Sequence, residues 1–194
     1  NTCNLYSKSK LMKHLFSALC LLLMISVTAQ EKFLTKTGTV IFEASMPSFE
    51  EVKATNKNTT AIINTKNGEF AALVLVKGFR FKNALMEEHF NENYAESDDY
   101  PKATFEGKIS DFSIDDLNGT SQEKRYNGSL TFHGKTKSLN NKTLSITKST
   151  DGSLKITGSL KVNVADYYIE IPKIVSNKLS REVDVIFEFI LNKK

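Results

Sequence analysis

Few side chains in the sequence are placed to do acid–base or metal chemistry. His89 and His133 belong to no His-x-x-x-His or Glu-x-x-His pair, so their spacing does not predict a metal site. Glu87–Glu88 and Asp98–Asp99 are adjacent carboxylates, but neighbouring residues on a helix point apart, and the second pair falls in an exposed corner. No phosphate-binding loop, dinucleotide fingerprint or Gly-x-Ser-x-Gly motif occurs. We therefore expect no catalytic residue, no metal, no cofactor and no enzymatic activity.

Apolar residues that alternate with other residues dominate most of the 194-residue chain. Val183, Val185, Phe187 and Phe189 occupy every second position of one run, which is the pattern of a strand with one buried face. Comparable runs recur along the sequence and add up to about eight strands, several of them long. Closing such strands into a barrel removes their exposed edges. The sequence therefore predicts an all-β fold, an extended eight-stranded antiparallel barrel.

Turn signals separate the runs and set their length. Asn67-Gly68 and Asp151-Gly152 are each tightly flanked by strand patterns, which predicts two hairpins. Residues 153–164 predict a strand that would span roughly 40 Å at roughly 3.3 Å per residue. The run Ala71–Val76 is apolar at every position, which predicts a strand covered on both faces.

One segment breaks the strand pattern. Residues 84–94 read as a short helix with Asn83 as its N-cap and acidic residues in its first turns. Leu85, Met86, His89, Phe90 and Tyr94 share one face of this helix. We expect this face to pack on or across the barrel and to help close its apolar interior.

The first 29 residues are predicted to be removed from the mature protein. An apolar run over Leu15–Ile25, with a basic start before it and Val-x-Ala after it, makes a Sec-type signal peptide. The eleven residues before Met12 look like an upstream extension of the reading frame. The run is shorter than the ~20 residues of a membrane-spanning helix, so an uncleaved anchor is the weaker alternative. Cleavage after Ala29 leaves residues 30–194 as one domain, periplasmic or secreted.

Removal of residues 1–29 also changes the charge. It takes away three lysines and no acidic residue, together with Cys3 and Cys20. The remaining 23 basic and 22 acidic residues carry a net charge of +1 instead of +4. Nucleic-acid binding then loses its compositional support, and no thiol remains. We expect no nucleic-acid partner and no transmembrane segment after cleavage; a homodimer remains one option for the oligomeric state.

Three sequence segments carry a resemblance to a known family. Phe79–Tyr94 is followed by an acidic-Tyr-Pro corner and a strand in Glu96–Phe105, and Leu130–Lys137 reads Leu-Thr-Phe-His-Gly-Lys-Thr-Lys. Together they resemble the YceI-like family over nearly all of residues 35–192. The resemblance implies a lipocalin-like barrel that in some members holds a long polyisoprenoid chain, and it implies an export signal.

The interior of such a barrel can be filled by side chains or can hold one slender ligand. The first alternative is a secreted structural or stress-associated interaction module without a ligand. The second is a protein that binds an isoprenoid-, quinone- or lipid-like molecule, with apolar residues on the inner strand faces as its lining. The residues predicted to line the interior are Leu73, Leu75, Phe90, Phe105, Leu130, Phe132, Ile156, Leu160, Val162, Phe187 and Phe189.

Overall fold

The computed structural model describes residues 31–46 and 49–194; the predicted signal peptide lies outside these residues. Within them the chain forms nine strands and one α-helix, α1 (Ala84–His89), which continues into a π-helical turn at Phe90–Tyr94. The strands are β1 (Lys32–Ser45), β2 (Lys53–Asn64), β3 (Glu69–Leu75), β4 (Arg80–Phe81), β5 (Lys102–Ile109), β6 (Gln122–Phe132), β7 (Lys135–Lys148), β8 (Leu154–Asn163) and β9 (Leu179–Lys193). One 3-10 turn follows β3 at Val76–Gly78, and two lie between β8 and β9, at Val164–Tyr167 and Lys173–Val175.

Antiparallel pairing closes the eight long strands into a barrel. The sheet runs β1, β9, β8, β7, β6, β5, β3, β2, and β2 then pairs back with β1. In this closing pair Phe33 lies opposite Ile63, and Phe42 lies opposite Ala54. The two-residue β4 pairs with the start of β2. The predicted eight-stranded antiparallel barrel with one short helix is confirmed, and closure leaves none of these eight strands with a free edge.

The two ends of the barrel differ in their connections. One end, which we call the closed end, carries the connection at 110–121 and the turns at 65–68 and 149–153, where both predicted hairpins are found. The other end, which we call the mouth, carries the two-residue turn at 133–134 and the connections at 46–52, 76–101 and 164–178, two of which are the longest of the barrel. Long connections offer more surface for a binding site than tight turns do.

Side chains fill the barrel interior toward the closed end. Alternate residues of each strand point inward there and pack into one cluster with almost no exposure to solvent. The principal members are Phe33, Ile63, Phe70, Ile109, Tyr126, Leu144, Ile146, Leu154, Ile156, Phe189 and Leu191.

Inward-facing glycines make room for phenyl rings at mid-height. A Cβ added to Gly128 would lie 2.6 Å from the carbonyl oxygen of Glu106 and 2.7 Å from the ring of Phe105. Gly158 allows an equally close approach by the ring of Phe187. Both rings therefore approach the strand backbone closely at these glycines and form the upper layer of the filled core.

Strand β3 differs from the prediction that it would be covered on both faces. Its inward residues Phe70 and Val74 are buried, but Leu75 on the outer face is 50% exposed. The reason is that the helix folds over the mouth instead of over the flank of the barrel. Leu73 and Leu75 thus lie on the outer surface and not in the interior, where the sequence had placed them.

The helix begins as predicted and is tied to β4. The side chain of Asn83 accepts a hydrogen bond from the backbone N–H of Leu85 at 2.9 Å, which caps the first turn. Glu87 accepts a hydrogen bond from Arg80 at 3.0 Å and a second from the backbone N–H of Phe81 at 3.1 Å. These bonds fix the orientation of α1 across the mouth.

Candidate functional site

An apolar cavity of about 380 Å³ lies inside the barrel at the mouth. Inward residues from the mouth ends of the strands form its side wall, among them Val40, Ala103, Leu130, Val162 and Val185. Its volume lies at the lower end of the roughly 300–1,000 Å³ that small-molecule sites have. The filled core forms its floor.

Four phenyl rings form one side of the cavity. The ring of Phe90 lies 5.1 Å from that of Phe42, 5.3 Å from that of Phe81 and 5.9 Å from that of Phe79, measured between centroids. Phe42 and Phe79 meet edge to face at 5.0 Å, an arrangement that aromatic pairs favour. The π-helical turn brings Phe90 into this cluster from the end of α1, while β1, β4 and the turn between β3 and β4 supply the other rings.

The connection between β8 and β9 forms the opposite side. Asn163 ends β8 and accepts a hydrogen bond from the backbone N–H of Ala165 at 3.0 Å, which starts a 3-10 turn. Tyr168 then adopts a left-handed conformation with φ of 59°, and the chain turns back across the mouth. The residues that this connection contributes to the wall are apolar apart from Tyr167 and Lys178: Val164, Ile169, Ile171 and Val175.

His133 joins three segments beside the cavity. It forms a two-residue turn with Gly134 between β6 and β7, and both residues have positive φ, 48° and 68°, as a type I′ turn requires. Its Nδ1 lies 2.9 Å from the carbonyl oxygen of Tyr167, and its Nε2 lies 2.8 Å from Oε2 of Glu96. The ring of Tyr100 packs edge to face against it at 4.5 Å. His133 is thus a structural residue with hydrogen-bonded ring nitrogens.

Polar wall residues lie mainly at the outer rim. Glu50, His89 and Lys178 are exposed there. Tyr167 differs, because only 2% of its surface is exposed and its ring packs 6.0 Å from that of Phe132. Burial, with a smaller effect of the nearby Asp166, raises the pKa of Tyr167 to about 12.

The carboxylates in and near the helix hold structural contacts. Glu87 is engaged by Arg80 and by the backbone of β4, and Asp98 forms an ion pair with Lys77. Across residues 31–46 and 49–194, no three His, Cys, Asp or Glu side chains come together as metal ligands would. No helix of this part of the chain has the length and apolar character needed to cross a membrane.

The structure divides the predicted lining residues into three sets. Four of them lie in the wall of the cavity: Phe90, Leu130, Phe132 and Val162. Five belong to the core or pack against it without reaching the wall: Phe105, Ile156, Leu160, Phe187 and Phe189. The remaining two, Leu73 and Leu75, lie on the outer face of β3.

Several wall residues were not predicted. Phe42, Phe79 and Phe81 are apolar residues in or beside strands, and only the fold shows that they meet at the mouth. Residues 164–175 contain only a short period-two run, in which Tyr167, Ile169 and Ile171 alternate with other residues, and no structural element was predicted from it. A second signal is the density of branched apolar residues in a loop, where polar residues are usual.

Comparison with known proteins supports this architecture. A family model described as YceI-like domain matches residues 26–191. Three similar solved structures are a polyisoprenoid binding domain from Saccharophagus degradans implicated in plant cell wall breakdown, Burkholderia cenocepacia BcnA and a Campylobacter jejuni YCEI protein.

The three structures share the fold at low sequence identity. The first is 16% identical and covers 84% of this chain and 98% of its own, with a TM-score of 0.72. The second is 15% identical, covers 79% and 96%, and has a TM-score of 0.61. The third is 15% identical, covers 77% and 88%, and has a TM-score of 0.57. A search of curated proteins finds no match.

Proposed function

Since the chain belongs to the YceI-like domain family, we propose that it is an exported binding protein that holds a long apolar molecule in the cavity at the barrel mouth. The molecule would be isoprenoid-, quinone- or lipid-like. The observation that carries the proposal is the apolar cavity of about 380 Å³ above a filled core.

Apolar burial supplies the driving force for this binding. Transfer of apolar surface out of water stabilises a complex by about 25 cal/mol per Å². The wall combines aliphatic side chains with the cluster of Phe42, Phe79, Phe81 and Phe90, and both kinds of surface suit a hydrocarbon chain. The polyisoprenoid binding domain among the similar structures adds support for an isoprenoid chain as the ligand class.

A filled barrel that acts only as a structural or interaction module is the alternative function. The cavity favours the binding protein, because a module without a ligand has no need to leave apolar space of this size unfilled.

A cavity-filling substitution tests the proposal. Ala103 lines the cavity, so Ala103→Phe should lower the affinity for a fluorescent isoprenoid analogue tenfold or more by occupying the space. Thr104→Phe adds the same ring to the outer face of β5, beside Leu73 and Thr131, and should leave the affinity unchanged. Equal affinities of both variants and the wild type would overturn the proposal.

The natural cargo can be sought in parallel. Native mass spectrometry of protein purified from its own host, followed by extraction into organic solvent, should yield an apolar molecule. Recovery of ligand-free protein that also fails to bind the analogue would favour the structural module.

Export forms the second part of the proposal. The signal peptide predicted in residues 1–29 supports secretion into the periplasm or beyond it. N-terminal sequencing of the exported protein should begin at Gln30. A product that starts at Met12 and stays in the inner membrane would contradict cleavage.

A further inference from the structure

Tyr167 is the buried polar side chain in the wall of the cavity. Among the other polar wall residues, Glu50, His89 and Lys178 lie at the exposed rim and Tyr94 is half-buried. The hydroxyl of Ser180 is engaged, because it donates a hydrogen bond to the carbonyl oxygen of Glu182.

Only 2% of the surface of Tyr167 is exposed, and none of the hydrogen bonds of the described ranges involves its hydroxyl. The side-chain oxygens that are fully enclosed without a partner in those ranges are Oγ1 of Thr59 and Oδ1 of Asn91, so the Tyr167 hydroxyl retains accessible surface at which a partner can bind.

The surrounding contacts hold Tyr167 in one position. Its carbonyl oxygen lies 2.9 Å from Nδ1 of His133, and its ring packs against that of Phe132, which also lines the cavity. The 3-10 turn that contains it is capped by Asn163. Because Tyr167 is already held in place, a hydrogen bond from its hydroxyl to a ligand would cost the protein little additional conformational entropy.

The charge of the wall indicates the kind of group that the hydroxyl would meet. Glu50 and Lys178 are the charged wall residues of the described chain when histidine is neutral, and their charges are opposite. Both are exposed, so neither provides a buried cation for a phosphate. An uncharged oxygen, such as that of an alcohol or a quinone carbonyl, fits a neutral donor in an apolar wall.

We propose that the hydroxyl of Tyr167 donates a hydrogen bond to an uncharged oxygen at the head of the bound apolar chain. This inference rests on the proposed function and names the polar end of its ligand. At neutral pH the hydroxyl of Tyr167 is protonated and able to donate, as that of an ordinary tyrosine is, and its raised pKa of about 12 extends this range into alkaline solution.

The adjacent tyrosine provides a matched control. Tyr168 is 68% exposed, and its ring contacts the ammonium group of Lys135 at 4.3 Å outside the cavity wall. The experiment measures binding of hexaprenol, a six-isoprene menaquinone, squalene and hexaprenyl phosphate to the wild type, Tyr167→Phe and Tyr168→Phe. The first two probes offer an uncharged oxygen, squalene offers none, and the last carries a charge.

The expected result separates the probes by head group. Tyr167→Phe should weaken the binding of hexaprenol, menaquinone or both by about three- to tenfold, the worth of one hydrogen bond, and should leave squalene unchanged. Whichever head group loses affinity is the acceptor. Tyr168→Phe should change none of the affinities, and the wild type should bind the alcohol more tightly than its phosphate.

Other outcomes overturn the inference. Equal losses for squalene and the oxygen-bearing probes would assign Tyr167 to wall packing alone, and unchanged affinities would remove its role. Tighter binding of the phosphate would contradict an uncharged head group. If the folded wild-type protein binds none of the four probes, the proposed function itself fails, and this inference fails with it.

Discussion

At the scale of single residues, buried tyrosines make the stability of the protein sensitive to alkaline pH. Burial raises the pKa of Tyr126 to about 12, whereas the unfolded chain has a tyrosine pKa of about 10. The folded state therefore keeps its proton where the unfolded state loses it. The stabilisation by this group is complete below pH 10 and is lost as the pH rises toward 12.

The first prediction measures this loss. Between pH 10 and 12 the free energy of unfolding should fall by about 1.4 kcal/mol per pH unit for Tyr126 alone. Urea titrations of the wild type and Tyr126→Phe at several pH values should show a shallower slope for the variant. The exposed Tyr168→Phe should keep the slope of the wild type. Parallel curves for the wild type and Tyr126→Phe would contradict the prediction.

A second prediction concerns the close approach of a ring to the backbone. Gly128→Ala should lower the free energy of unfolding by about 1–3 kcal/mol, because its Cβ would meet the carbonyl oxygen of Glu106 and the ring of Phe105. Gly119→Ala serves as the control, since an added Cβ there meets nothing within 4 Å, and its effect should stay within about 0.5 kcal/mol. Chemical denaturation measures the free energy of unfolding of both variants. Equal losses would contradict the prediction that the ring of Phe105 and the carbonyl oxygen of Glu106 exclude a side chain at Gly128.

At the scale of elements, the sequence predicted the strands, the hairpins and the helix start, because each of these depends on a local residue pattern. Alternation identified the long strands, Asn-Gly and Asp-Gly identified two hairpins, and Asn83 identified the start of the helix. Strand Ala71–Val76 could not be assigned inner and outer faces, because it is apolar at every position. Leu73 and Leu75 were therefore placed inside although they lie outside.

The cavity could not be predicted from any single strand or helix, because its position depends on how the elements assemble. Phe132 and Phe189 both point inward from alternating strands, yet one lines the cavity and the other lies in the filled core. The two residues differ in their height along the barrel axis, which is determined by the register of strand pairing. The loops that cover the mouth then determine which of these heights borders the cavity. The same reason explains why Phe42 and Tyr167 were missed.

The third prediction concerns the attachment of the helix. Phe90 is partly buried against three rings, so Phe90→Ala should cost about 1–3 kcal/mol of unfolding free energy and should also weaken ligand binding. Leu85 lies on the same helix but is 56% exposed, and Leu85→Ala should change stability by no more than about 0.5 kcal/mol. A neutral Phe90→Ala would show that the helix is only a surface appendage.

The fourth prediction concerns the contacts of His133. Asparagine tolerates the positive φ of this turn but cannot reach both Glu96 and the carbonyl of Tyr167, so His133→Asn should cost about 1–3 kcal/mol. His89→Asn replaces an exposed histidine at the rim and should be neutral in thermal and urea unfolding. If the two variants unfold alike, the hydrogen bonds of His133 contribute nothing measurable.

At the scale of the whole molecule, the small volume of the cavity limits how much of a ligand it can hold. Affinity for a series of isoprenoid alcohols should rise with chain length and then level off once the cavity of about 380 Å³ is full. Calorimetry should give a negative heat-capacity change of binding and little dependence on salt, because apolar burial drives the process. Affinity that is independent of length, or that falls steeply with salt, would contradict the apolar mechanism.

For the ligand proposed above, the filled core below the cavity also determines the order in which one bound molecule replaces another. Because side chains block the barrel toward the closed end in the described residues, an arriving molecule must use the same mouth as the departing one. The first must leave before the second can enter, so the exchange rate saturates at the rate constant for release. A large excess of incoming molecules cannot accelerate exchange beyond this limit, so the residence time of the bound molecule is determined by its own release through the mouth.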